Sequence, residues 1–183
     1  MEHGKSTFIS IFLKLINCGN ILIYDFENDV KTIIAPKENL NKIRFLNNIK
    51  YEDILKNKNK YNLIVFENNN CLENKLKKEI LKNADEIIFL VEPNLLGIKK
   101  SKEILEKDIN EFNVTKSKIK IIFNKINPFS ISDLILKQLF SDFKIIGKIK
   151  FDYKYDIAIN CNLKQINSEI KNKYVKIIKN IGG

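Results

Sequence analysis

Apolar positions along this chain fall into short, nearly unbroken runs separated by longer stretches in which they recur every three or four residues. Ile21–Tyr24, Tyr61–Phe66, Ile87–Val91, Ile119–Phe123 and Ile145–Ile149 are runs of strand length, the pattern expected of parallel strands buried on both faces. Helical spacing predicts helices over residues 8–17, 72–83, Leu95–Phe112 and Ile166–Ile181, with a shorter one from Asp156 to Asn160. Leu40, Ile43, Leu46 and Ile49 give the stretch Lys37–Ile49 the same spacing, and Tyr51–Leu55 reads as a further turn. Cys18-Gly19-Asn20 stops the first helix, and Pro93, which lacks a backbone N–H, breaks the strand before it. Ser130 or Ser132 caps a helix that runs to about Phe140. The run Lys56-Asn57-Lys58-Asn59-Lys60 reads as a solvated loop, and Asn68-Asn69-Asn70 as a turn. Strands alternating with helices argue for βαβ units: an α/β three-layer sandwich with a mainly parallel sheet, one domain over 1–183.

Chemistry enters at the start of the first helix. Gly4-Lys5-Ser6-Thr7 has the composition of the second half of a phosphate-binding loop. Gly lets backbone N–H groups approach a phosphate, Lys meets its charge, a hydroxyl holds a divalent metal, and the helix N-terminus favours the anion. As a bare tetrapeptide it is also an ordinary helix start with Ser6 or Thr7 as cap. The full pattern has a first Gly four residues before Gly4 and a buried strand before that, so the chain reads as N-terminally incomplete. Asp25-Phe26-Glu27-Asn28-Asp29 places three carboxylates at the carboxyl end of the first strand, the edge where open α/β sheets bind ligands. Glu67 follows the second strand, where phosphoryl-transfer enzymes of this type place another metal-side carboxylate. Most use Asp; the extra methylene of Glu67 points to a water-mediated or a weakened role.

Composition narrows the partners. With 183 residues and 44% hydrophobic content the chain can bury one sizeable core. Thirty-two Lys+Arg against 22 Asp+Glu give +10, which favours acidic partners. Arg44 is the single arginine, so phosphate attraction without base readout is the expectation. Lys99, Lys100 and Lys102 on one helix and Lys171, Lys173, Lys176 and Lys179 on the last carry that charge. Cys18, Cys71 and Cys161 are too far apart for a zinc motif and read as buried, reduced thiols. No apolar stretch has transmembrane length and the first residues lack a signal-peptide plan, so a cytoplasmic setting is expected.

Six segments in order carry a family resemblance: HGKST at residues 3–7, YDFEND at 24–29, YNLIVFE at 61–67, ADEIIFLVEPNLLGIKKSKEIL at 84–105, IIFNKINP at 121–128 and IIGKIKFDYKYDIAIN at 145–160. Together they resemble the MinD/ParA family of deviant Walker P-loop ATPases, including the CpaE/TadZ-like pilus-assembly branch. The first strand and the front half of the loop, with the family's signature Lys, have no counterpart, and Ile149–Asp152 lacks the proline of the family's closing loop. The resemblance implies a P-loop NTPase (SIMIBI-type) architecture that binds ATP with Mg²⁺. Lys5 would bind β/γ-phosphate, Gly4 and Thr7 would cradle phosphate, and Ser6, Asp25 and Glu67 would hold the metal. Glu27 falls where the family has the Asp that orients attacking water; Asn124, Phe151 and Asp152 fall around the base. It further implies a nucleotide-dependent homodimer that positions pilus or secretion machinery, DNA or the division site. Its partners would be a protein of such a system and, through the basic helices, non-specific DNA or the membrane surface. The alternatives are a non-hydrolysing scaffold of the same fold and a small-molecule P-loop enzyme.

Overall fold

The computed structural model describes residues 4–34, 42–48, 51–67, 72–160, 166 and 168–181. Met1–His3, residues 37–41 and 49–50, the Asn68–Asn70 turn, Cys71 and Cys161 therefore lie outside the described residues. Among the described residues six strands and eight α-helices follow one another: α1 Lys5–Leu15, β1 Ile21–Tyr24, α2 Asp29–Ile34, β2 Ile43–Leu46, α3 Tyr51–Asn57, β3 Leu63–Phe66, α4 Asn74–Asn83, β4 Ile87–Val91, α5 Leu95–Asn110, β5 Ile119–Ile126, α6 Asp133–Leu139, β6 Lys144–Lys150, α7 Lys154–Asn160 and α8 Ser168–Ile178. The strands form two sheets, β2-β1-β3 and β4-β5-β6, parallel throughout. The α/β class with parallel pairing is as the apolar runs predict.

The chain divides into two compact units. One comprises Met1–Leu76 with Lys154–Tyr174, the other Lys77–Tyr153 with Val175–Gly183. In the first unit, β1 lies between β2 and β3, and all four of its residues are buried, which is why Ile21-Leu22-Ile23-Tyr24 carries no polar position. Helix α1 buries Phe8, Ile11, Phe12 and Leu13, and Val30 and Ile34 of α2 join them in the core. Phe8 also meets Tyr174 of α8, ring centroids 5.5 Å apart. In the second unit β5 is central. Ile119, Ile121 and Phe123 are buried with Val91, Leu105, Phe112 and Phe140, and Phe123 meets Phe140 edge-on at 5.6 Å. Ile98, Ser101, Leu105 and Asp108 recur every three or four residues and form the buried stripe of α5, leaving Lys99 and Lys100 exposed. Buried Asp108 is paired with Lys77 at 3.0 Å.

Several sequence expectations are corrected. The helix expected over Lys37–Ile49 is absent from its described part: residues 43–46 are strand β2, paired in register with Ile21–Tyr24. A ladder with β1 outweighs a local helical spacing, because strand preference is decided by cross-strand neighbours. Asp29 leaves the acidic loop to begin α2, a helix the sequence did not announce. Helix α1 ends at Leu15, with Ile16 already extended, ahead of the Gly19-Asn20 signal. Gly19 serves close approach instead, since a Cβ there would stand 2.1 Å from Asn62 Oδ1. Ser132 precedes α6 without a side-chain cap bond, and Ser130 Oγ accepts from the Asn127 N–H rather than capping. Cys18 is half-buried, not buried. β5 runs on through Asn124 and Lys125 to Ile126, with an irregular register against β6 where Lys125 takes φ 58°.

One glycine gives a direct stability test. The Gly97 N–H donates to Asn94 Oδ1 at 2.7 Å, capping α5, and a Cβ on Gly97 would lie 2.4 Å from the Glu92 carbonyl oxygen. The obstacle is backbone, so Gly97→Ala is expected to cost about 1–3 kcal/mol, read as an earlier urea midpoint with unchanged slope.

Candidate functional site

The first unit gathers Gly4–Thr7, Asp25 and Glu67 at the carboxyl edge of its sheet. Gly4 stands at the N-terminus of α1 in right-handed geometry, and its carbonyl accepts the Phe8 N–H at 3.0 Å. Asp25 directly follows β1 and Glu67 directly follows β3, strands whose last residues, Tyr24 and Phe66, are in register. Backbone bonds carry the ladder one residue further: the Asp25 N–H donates to Leu46 O at 2.8 Å and the Glu67 N–H to Tyr24 O at 3.2 Å. The two carboxylates are thus held on neighbouring strand ends, 1% and 4% exposed.

Ser6 closes the group. Its Oγ donates to Glu67 Oε1 at 2.5 Å across 61 residues of sequence, and Ser10 Oγ donates back to Ser6 O at 2.7 Å, fixing this turn of α1. Asp25 Oδ2 accepts the Lys31 N–H at 2.8 Å, so one oxygen tethers the start of α2. Its Oδ1 and Glu67 Oε2 are buried without a hydrogen-bond partner among the described residues. Burial pushes the Glu67 carboxyl above its ordinary value; the Ser6 hydrogen bond opposes this, Asp25 adds to it, and Lys5 pulls the other way. Lys5 is thus within electrostatic reach of the Glu67 carboxylate. Orphaned carboxylate oxygens beside a hydroxyl are an oxygen donor set of the kind that hard divalent cations take. The described residues hold no cluster of three or more acidic, His or Cys side chains, so any ion here would rely on Ser6 and on ligands from outside the protein.

Glu27 is exposed in the turn between β1 and α2, just before Asn28, which takes φ 60°. Thr7 is half-buried in the first turn of α1. Asn124, Phe151 and Asp152 belong to the second unit. Asn124 is half-buried within β5, and Asp152 is half-buried. The Phe151 N–H donates to Ile126 O at 2.8 Å, extending the β5–β6 ladder, and the residue is 63% exposed. Phe151 lines a cleft of about 200 Å³ with Pro93, Asn94, Lys125, Asn127 and Phe129; Asn124 does not line it. Sequence reasoning missed Asn127 and Phe129 here. Their signal was the Asn127-Pro128 turn, in which Asn127 Oδ1 accepts the Phe129 N–H at 2.9 Å.

No protein-family model matches the chain, and no curated protein matches it in sequence. Solved structures do match. A chain of the MinC:MinD cell division protein complex of Aquifex aeolicus superposes with a TM-score of 0.74 at 14% identity, over 97% of this chain and 90% of that one. The ParA family ATPase of Chlorobium tepidum TLS gives a TM-score of 0.69 at 15% identity, over 97% and 94%. The chain shares the parallel α/β fold of these MinD and ParA structures.

Proposed function

We propose that this chain binds ATP with Mg²⁺ at Gly4–Thr7 and works as a MinD/ParA-like nucleotide switch. The observation that carries the reading is the buried Ser6–Glu67 hydrogen bond beside the unpartnered Asp25 Oδ1 and Glu67 Oε2. Ser6, Asp25 and Glu67 would hold the ion, which when bound supplies charge stabilisation to a phosphoryl group. Lys5, at the first helical position, would meet phosphate charge together with the N–H groups of the α1 terminus. Glu27, exposed in its turn, is free to orient a water for hydrolysis. In this reading nucleotide drives self-association, and the dimer engages a protein of a positioning system such as pilus, secretion, partition or division machinery, in the cytoplasm or at the membrane surface.

The basic helices support a narrower role. Ile170, Tyr174 and Ile177 of α8 are buried, so the stripe that would enter a bilayer is occupied. No helix among the described residues is long and apolar enough to cross a membrane. Contact with DNA or lipid would then be electrostatic and salt-sensitive.

Calorimetric titration with ATP, with and without Mg²⁺, tests the reading: saturable binding strengthened by Mg²⁺ is expected, and its absence at millimolar ATP overturns it. Phosphate release in the same sample separates an ATPase from a non-hydrolysing scaffold. Glu67→Gln sharpens the test. Because Glu67 titrates higher in the folded chain, its favourable contribution is complete below its ordinary value of 4.5 and is lost as pH rises through the folded value. At pH 7.5 the neutral isostere is expected to raise the ligand-free Tm by about 3 °C, corresponding to about 1 kcal/mol. It should also remove the Mg²⁺-dependent part of ATP binding. An unchanged Mg²⁺ increment would exclude Glu67 from the metal site.

A further inference from the structure

The amino ends of the first unit's strands form a second cleft that the nucleotide reading does not use. Lys42, Arg44, Lys60, Tyr61 and Asn20 line it together with Ile43, around a volume of about 310 Å³. It lies one strand length, about 13 Å, from the carboxyl edge that carries Asp25 and Glu67.

Its walls are fixed by bonds between strand starts. The Ile21 N–H donates to Lys42 O at 2.7 Å, the Asn62 N–H to Asn20 O at 2.8 Å, and the Asn20 N–H to Asn62 Oδ1 at 2.8 Å. The close approach at Gly19 already described belongs to this same brace. Three cationic residues thus line a braced concavity, and among the described residues no carboxylate lines it. No ion pair among the described residues takes up Lys42, Arg44 or Lys60. The arginine, single in a chain of 183 residues, sits here on β2. A guanidinium offers paired N–H donors matched to a phosphate, flanked in this cleft by two ammonium point charges.

We propose that this cleft is a second anion site, which takes a small phosphate-bearing ligand separately from Gly4–Thr7. Convergence on a cleft, rather than spread along a face, favours a compact anion over a polymer. Tyr61 and Asn20 would meet the uncharged part of such a ligand. Occupancy would link β2, β1 and β3 at their amino ends, which makes the site suited to an effector acting on the sheet that carries Asp25 and Glu67.

The test uses the full chain carrying Lys5→Ala, which silences the loop, titrated with pyrophosphate by calorimetry and by backbone amide NMR. Saturable binding is expected, with shifts at residues 20, 42–44 and 60–62. Adding Arg44→Gln with Lys60→Gln should weaken binding about tenfold or more, while Arg44→Lys retains part of it. A control pair, Lys99→Gln with Lys171→Gln, removes the same charge elsewhere and should change nothing. Absence of saturable binding, or equal loss in the control pair, overturns the proposal. So does binding of a random DNA duplex that depends on Arg44 where pyrophosphate does not bind, because the surface would then be a polyanion track.

Discussion

Lys5→Ala is expected to weaken Mg²⁺–ATP binding by about 10- to 100-fold, the value of a lost charge-assisted contact of about 1.5–3 kcal/mol. Two effects act in the same direction. The ammonium group that meets phosphate charge is removed from the start of α1. In addition, Glu67 loses the cation that opposes its raised pKa, so burial and Asp25 act on it with less restraint and its carboxylate form becomes costlier. The Mg²⁺ increment should therefore shrink along with the ATP affinity, and more as pH falls toward the raised carboxyl, because the ion competes with the proton for it. Calorimetry over a pH series separates the two effects. Retention of wild-type affinity would show that Gly4–Thr7 is an ordinary helix start and would sink the nucleotide reading itself.

What the sequence disclosed of the fold follows from burial. β1 was legible because a parallel strand covered on both faces must be apolar throughout, and half-buried β4 and the first five residues of β5 were legible as apolar runs that Lys120, paired with Glu86, interrupts. β2 was not: it pairs with β1 alone and half-exposes its side chains, so Arg44 is tolerated. The spacing of Leu40, Ile43, Leu46 and Ile49 then imitates a helix. α2 was hidden because six residues hold too few apolar positions to show a period, and because its start is tethered by Asp25, a side chain outside the helix. The continuation of β5 past Phe123 rests on a left-handed Lys125, a conformation for which lysine gives no sequence signal.

Site residues were legible to the extent that position alone assigns them. Ser6, Asp25 and Glu67 could be nominated because one opens a helix and two end apolar strands, and the structure brings these three together. The direct Ser6–Glu67 bond was not legible, since no local rule couples residues 61 apart. The cleft walls at Asn127 and Phe129 escaped because a turn announces its backbone shape but not what faces it.

Tyr24 joins the fold to the site, and Tyr24→Ala is expected to be severe. The ring is fully buried and lies parallel to Phe66, centroids 4.7 Å apart and planes within 3°. Its hydroxyl accepts only a long 3.4 Å bond from Asn57 Nδ2, so the ring rather than the oxygen carries its weight. Truncation should cost about 3–5 kcal/mol, the usual range for an aromatic lost from a core; Tyr24→Phe should cost less than about 1 kcal/mol. The consequence reaches the site because Tyr24 and Phe66 are paired residues that immediately precede Asp25 and Glu67. Their stacking reinforces the register that sets the two carboxylates side by side, and a slip of one residue would turn one of them to the opposite face. Urea denaturation should rank the variants Phe above Ala, and Mg²⁺–ATP titration should follow the same order under conditions where each remains folded. Ile11→Ala, which cuts the core within α1 and leaves both rings of this pair present, is the control for stability alone. If Tyr24→Ala and Ile11→Ala, matched in stability, bind Mg²⁺–ATP equally well, the stack serves the core and does not set the carboxylates.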